Sequence, residues 1–144
     1  MANVKLQDKL VISTDTKFLN IVRGFVSRMV RQSDLPDEDE NKIIVAIDEA
    51  VTNIIEHAYE MQRNGTITIQ IDADDMKFQV AITDSGKRFD PKIITDPNIL
   101  DHIKNKKKKG LGIFLMRQIM DEVRYMFKDG IQNELVLVKY IKKV

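Results

Sequence analysis

Ile47-Asp48-Glu49-Ala50-Val51-Thr52-Asn53-Ile54-Ile55-Glu56-His57-Ala58-Tyr59 mixes core-forming residues with chemically useful polar ones at helical spacing, and the reading of the chain turns on it. On an α-helix each residue turns by ~100°, so Glu49 and Asn53, four apart, point from nearly the same side. Ile47, Ala50, Val51, Ile54 and Ala58 fall at the i, i+3, i+4, i+7 offsets of a buried stripe, which sets the carboxylate and the amide at the edge of a core-packed helix. A carboxylate can accept a proton or lie near a metal, and an amide oxygen is a neutral hard ligand that suits Mg²⁺. Two ordinary solvated side chains would leave the same pattern, so the rest of the chain must decide.

Downstream, Asn64-Gly65 is a strong turn signal, and Thr66-Ile67-Thr68-Ile69-Gln70-Ile71 then alternates with period two. Asp74-Asp75 turns the chain again, and Lys77-Phe78-Gln79-Val80-Ala81-Ile82 makes the partner strand. Residues 66 to 83 therefore read as an antiparallel hairpin with one buried face. Upstream, Pro36 with Asp37, Glu38 and Asp39 is what the first turn of a helix prefers, a preset φ followed by negative charge at the positive end of the dipole. This second helix runs to about Tyr59.

Before it, Ser13 to Thr16 supply N-cap candidates for a first helix, where Phe18, Ile21, Val22, Phe25, Val26, Met29 and Val30 recur at helical offsets through about Gln32. Lys17, Arg23, Arg28 and Arg31 occupy its polar positions, as a solvated face or a partner-docking surface. Val4 to Gln7 and Leu10 to Ile12 read as a first strand interrupted by charge. Thr83 to Ile103 is irregular, with Gly86, Pro91 and Pro97, and reads as a long functional or mobile loop. Leu111, Phe114, Leu115, Gln118 and Ile119 resume helical spacing to about Met120. Val123 to Phe127 and Leu135 to Ile141 are strands joined by a turn at Lys128-Asp129-Gly130. The order β-α-α-β-β-loop-α-β-β predicts an α+β protein, a two-layer α/β sandwich whose mixed, mostly antiparallel sheet carries its helices on one face.

At 144 residues the chain fits a single domain, residues 1–144. With 43% hydrophobic and 31% charged residues the composition is that of a soluble protein, and no apolar run approaches the ~20 residues of a membrane helix. The N-terminus has no apolar segment of a secretory signal, so a cytoplasmic protein without membrane contact is expected. The absence of cysteine excludes disulfides, thiolate nucleophiles and cysteine zinc sites. His57 and His102, the only histidines, are too far apart in sequence for a helical metal pair. The net charge of +1 makes no case for nucleic acid, yet residues 101 to 144 hold eleven Lys/Arg against five Asp/Glu. That balance of +6 leaves −5 for the rest, and an acidic part beside a basic part could hold a metal-bound polyanion.

Asp84-Ser85-Gly86 sits where a strand ends, where one carboxylate can be aimed and a missing Cβ lets a ligand approach. An aspartate there could accept a hydrogen bond from an exocyclic amine such as that of adenine, though a plain turn after a strand has the same signature. Lys109-Gly110-Leu111-Gly112 precedes a helix, where free backbone N–H groups and the dipole favour phosphate. Lys106 to Lys109 read either as a solvated run or as mobile cations able to close over a triphosphate. A basic patch for nucleic acid would need interleaved aromatics, which are lacking.

E-x-x-x-N on a helix, D-x-G after a strand and G-x-G opening a later helix are individually weak and jointly strong. In "AIDEAVTNIIEHAY", "ITDSGKRFDP" and "KGLGIFLMRQIMDEVRY" the chain resembles the N, G1 and G2 boxes of the GHKL ATPase superfamily, whose Bergerat fold is an α/β sandwich. Within it, the chain is most similar to the small bacterial anti-sigma-factor serine/threonine kinases of partner-switching systems. The resemblance implies that Asn53 coordinates Mg²⁺, that Glu49 is the general base, and that Asp84, assisted by Gly86, binds the adenine amino group. It implies that Gly110, Leu111 and Gly112 offer N–H groups to the phosphates of ATP, with Lys108 or Lys109 reaching them from the lid. Phosphoryl transfer suits such an inventory, since it needs positioning and charge neutralisation more than covalent chemistry. The implied acceptor is a serine or threonine on a STAS-domain anti-anti-sigma protein, and the implied client is a sigma factor. A homodimer is implied by the resemblance and by the apolar content of the first helix. The chain departs from the fuller pattern at Lys87-Arg88, where many relatives have another glycine, and at Asn133-Glu134-Leu135, where some have Gly-Thr. The alternative reading is an ATP-gated interaction module of a partner-switching pathway without kinase activity.

Overall fold

Ile67, Ile69, Ile71 and Ala73 on one strand and Phe78, Val80 and Ile82 on the next are buried in strict alternation, while the residues between them are only half-buried. That parity makes one face of a hairpin a core wall. The computed structural model describes residues 6–58, 64–86, 108–128 and 132–141, with backbone alone at 57–58, 108–113 and 128. The hairpin comprises β2 (Thr66–Ala73) and β3 (Lys77–Asp84). Asp74 closes it, its Oδ1 accepting the N–H groups of Met76 and Lys77 at 2.8 and 2.9 Å, the side-chain mimic of a backbone turn.

Around the hairpin the strands run in the order β1-β2-β3-β5-β4, with β1 at Leu6–Ser13, β4 at Glu122–Lys128 and β5 at Gln132–Tyr140. Every pairing among the described residues is antiparallel, the limiting case of the mostly antiparallel sheet expected. β1 is one strand across the charged residues Asp8 and Lys9, because a full ladder to β2 holds its backbone whatever the side chains face.

Asp15, in extended conformation, caps a 3₁₀ turn at Thr16–Phe18 by accepting the N–H of Lys17 at 3.0 Å. The turn runs into α1 (Leu19–Gln32), which buries Val22, Phe25, Val26, Met29 and Val30. Ile21 was expected on the apolar stripe but is 52% exposed, since it lies one residue off the buried face. α2 (Asp39–Asn53) begins with Asp39 and Glu40 in its first turn and buries Ile43, Ala46, Ile47, Ala50 and Val51. Beyond Asn53 the helix changes to π winding through Ile54–Ala58. The looser winding turns each residue through a smaller angle than α geometry, so Ile55 is fully buried and Ile54 only half so. α3 (Lys108–Ile119) packs against α2, which also packs against α1.

The inward residues of the sheet and the buried residues of the helices form one core cluster, and the opposite sheet face carries Thr68, Gln70, Gln79 and Thr83. The architecture is thus the two-layer α+β sandwich expected. Arg23 and Arg31 are not merely solvated, for they pair with Asp48 and Glu40 and tie α1 to α2. Most of the long stretch from Thr83 to Ile103, Lys106 and Lys107, His102, the side chain of His57 and the turn at Asp129-Gly130 lie outside the described residues.

Candidate functional site

The inward series of β3 runs Phe78, Val80, Ile82 and then Asp84, so parity delivers a carboxylate to the end of an otherwise apolar column. Asp84 is 5% exposed. Its Oδ1 accepts the N–H of Gly86 at 2.8 Å and the amide of Asn133 at 3.0 Å. Burial pushes the carboxyl above its ordinary range, and these two donors pull it only part of the way back. Asn133 stands directly opposite Asp84 in the β3–β5 register, the polar member of the inward series that continues as Leu135 and Leu137. It also donates to the carbonyl of Gly86 at 3.0 Å and accepts the hydroxyl of Tyr125 at 2.8 Å. Sequence reading noted Asn133 only as a departure. Its parity with Leu135 and Leu137 was the available signal, since an amide on a core face must find partners.

On α2, Glu49 is half-buried and carries no hydrogen bond or ion pair among the described residues. Its carboxyl is pushed up, first by burial and then by the neighbouring charges of Asp48 and Glu56. One turn on, Asn53 is 8% exposed, and its Nδ2 is buried with no partner among the described residues. An orphaned buried NH₂ donor costs about 1–3 kcal/mol, and an acceptor such as a phosphate oxygen would recover that interaction, leaving the amide oxygen for a cation. Asn53 fits Mg²⁺ as one hard oxygen donor. Among the described residues no group of three or more His, Asp or Glu could hold a metal, so such an ion would lean on phosphate oxygens and water for the rest of its shell.

The Gly110-Leu111-Gly112 stretch, expected ahead of a helix, lies inside α3, which starts at Lys108. Lysines are good helix formers and two glycines near an N-terminus do not stop a helix that a packed face supports. Lys108, Lys109 and Gly110 therefore occupy the first turn, where N–H groups have no partner within the helix. Leu111 and Gly112 follow it. The far end of α3 is anchored, with Lys139 Nζ donating to the Ile119 carbonyl at 3.0 Å and the Asp121 N–H to the Val138 carbonyl at 2.8 Å. Topology groups the remaining pieces. β2 starts where β3 ends, with Ile67 opposite Asp84, and the described chain resumes at Asn64 shortly after the last turn of α2. Direct bonds join Asp84, Gly86 and Asn133, while Glu49 and Asn53 share α2.

Residues 12–139 match the family model described as the histidine kinase-like ATPase domain. The chain is 30% identical over 138 residues to a Staphylococcus aureus protein named Serine-protein kinase RsbW, covering 92% of this chain and 85% of that one. A Listeria innocua protein of the same name is 25% identical over 144 residues, covering 96% and 90%. Among solved structures, that of the RsbU and RsbW domains of a Mycobacterium tuberculosis protein superposes with a TM-score of 0.66 at 17% identity. The match covers 96% of this chain and 34% of that one, and it is a likeness of fold. The family model spans residues 12–139, most of the chain, and the chain belongs to the histidine kinase-like ATPase domain family.

Proposed function

We infer that this chain is an ATP-dependent protein serine/threonine kinase and anti-sigma factor whose substrate is a STAS-type anti-anti-sigma protein. The observation that carries the reading is the similarity to serine-protein kinases across nearly the whole chain, with Glu49 standing half-buried one turn before the buried amide of Asn53, neither the carboxylate nor Nδ2 having a partner among the described residues. Glu49 is the base that takes the proton from the attacking hydroxyl, and the raised affinity for protons that burial gives it suits that task. Asp84 accepts the adenine amine, with Gly86 leaving room for the ring. Asn53 holds Mg²⁺ beside the phosphates, and the ion supplies charge neutralisation there. Gly110 in the first turn of α3 presents its N–H to phosphate, followed by Leu111 and Gly112, with Lys108 and Lys109 as cations nearby.

The chain acts as one domain over residues 1–144, as a homodimer in the cytoplasm, and it binds a sigma factor. Among the described residues no helix is long and apolar enough to cross a membrane. The exposed Ile21 and Val45 on α1 and α2 are apolar surface for a second copy. Incubation with γ-labelled ATP and a STAS protein encoded beside this chain tests the activity. Acid-stable label on a serine or threonine of that protein is expected, and ATP binding without transfer to it would leave only the gated interaction module.

A further inference from the structure

Asp84 has two carboxylate oxygens, and the described residues use only one. Oδ1 takes both donors, the Gly86 N–H and the Asn133 amide, and so fills both of its lone-pair directions. Oδ2 has no partner among the described residues. Asn133 is 3% exposed and fully engaged, with one N–H on Asp84, one on the Gly86 carbonyl and its oxygen receiving the Tyr125 hydroxyl. The two acceptors, the Asp84 carboxylate and the Gly86 carbonyl, set the amide's orientation, and the Tyr125 hydroxyl holds it from the other side. With the amide turned over, its oxygen would face both the Asp84 carboxylate and the Gly86 carbonyl, acceptor against acceptor, and its NH₂ group would face the Tyr125 hydroxyl.

We propose that Asn133, held in place by Tyr125, is a positioning residue that locks the Asp84 carboxylate so that Oδ2 is the one acceptor offered to a purine's exocyclic amine. The inference rests on the reading of Asp84 as the adenine acceptor and adds what aims it. The setting is dry on the β2 side, where Ile67, fully buried, lies opposite Asp84. A carboxylate held this way accepts from the 6-amino group of adenine and repels the 6-oxo group of guanine or hypoxanthine, acceptor against acceptor. Without Asn133 only the Gly86 N–H holds Oδ1, the carboxylate swings more widely about its last bond, and the preference for an amine decays even if a nucleotide still binds.

The test uses the full chain and calorimetric affinities for ATP and for purine riboside triphosphate, which lacks only the 6-amino group. Their ratio reads the amine contact and is insensitive to a general weakening of the site. For the native chain it should favour ATP by about tenfold or more, the worth of one hydrogen bond to a charged group. Asn133→Ala should bring the ratio close to one while affinity for purine riboside triphosphate changes by less than about threefold. Tyr125→Phe, which keeps the ring and removes one oxygen, should lower the ratio by at least about threefold and serves alone if Asn133→Ala fails to fold. Asp84→Asn separates the two claims. Loss of the ratio in Asp84→Asn with retention in both other variants would overturn the role of Asn133 alone, and a native ratio near one would overturn both readings.

Discussion

Arg23 holds both carboxylate oxygens of Asp48, Nε at 2.8 Å and Nη2 at 3.1 Å, one residue before Glu49. The pair joins α1 to α2, and it sets the Arg23 cation against the carboxylate whose charge pushes the proposed base up. Arg23→Ala should push the Glu49 carboxyl further up and move the acid limb of phosphoryl transfer to higher pH. Asp48→Asn should move that limb down, toward the ordinary glutamate value of 4.5. Rate against pH for the three proteins is the check, and coincident profiles would remove Glu49 from the reaction. The cost in stability should be only about 0.5 kcal/mol, because the guanidinium is largely solvated.

Asp84→Asn keeps an oxygen for the two donors and turns the free acceptor into a donor. The folded protein holds the Asp84 proton to higher pH than the unfolded chain, so this group's contribution to stability is greatest below its ordinary value of 3.8 and is lost as pH rises through the raised one. The variant lacks that titration. It should exceed the native chain in stability by roughly 0.5–2 kcal/mol at pH 7, with the gap closing in acid. Urea midpoints at pH 7 and pH 4 measure it, and a variant less stable at neutral pH contradicts the assignment.

The first helix, the hairpin and Asp84 were legible because each depends on local periodicity, 3.6 along α1 and 2 along β3. What escaped reading was what depends on partners distant in sequence. The bond between Asp84 and Asn133 spans 49 residues and exists only because β5 lands beside β3. The ion pairs of Arg23 and Arg31 depend in the same way on how α1 meets α2, so their residues read as a solvated face. The π winding after Asn53 has no signature in the alternation of Ile54, Ile55 and Ala58, and the start of α3 at Lys108 overrides the usual reluctance of glycine.

Asn53→Val should separate folding from ligation. It removes the orphaned buried Nδ2 and replaces it with an apolar group of similar size, so the apoprotein should gain about 1 kcal/mol. Mg²⁺-dependent enhancement of ATP binding should disappear. Equal Mg²⁺ dependence in both proteins would exclude Asn53 as a ligand.

Lys139 meets the last carbonyl of α3 from the sheet, where its charge complements the helix dipole. Lys139→Met should cost about 1 kcal/mol, whereas Phe78→Ala, which empties a fully buried position in the core wall, should cost about 3–5 kcal/mol. Denaturation midpoints rank the two, and a Phe78→Ala loss below that of Lys139→Met would contradict the packing described.

Glu49→Gln removes the proposed base and preserves its shape. With γ-labelled ATP and the STAS protein, transfer should fall by roughly 10²–10⁴-fold while ATP affinity stays within about threefold of the native value. Transfer within about tenfold of the native rate, or an equal loss of ATP affinity, would contradict Glu49 as the group that makes this site a kinase.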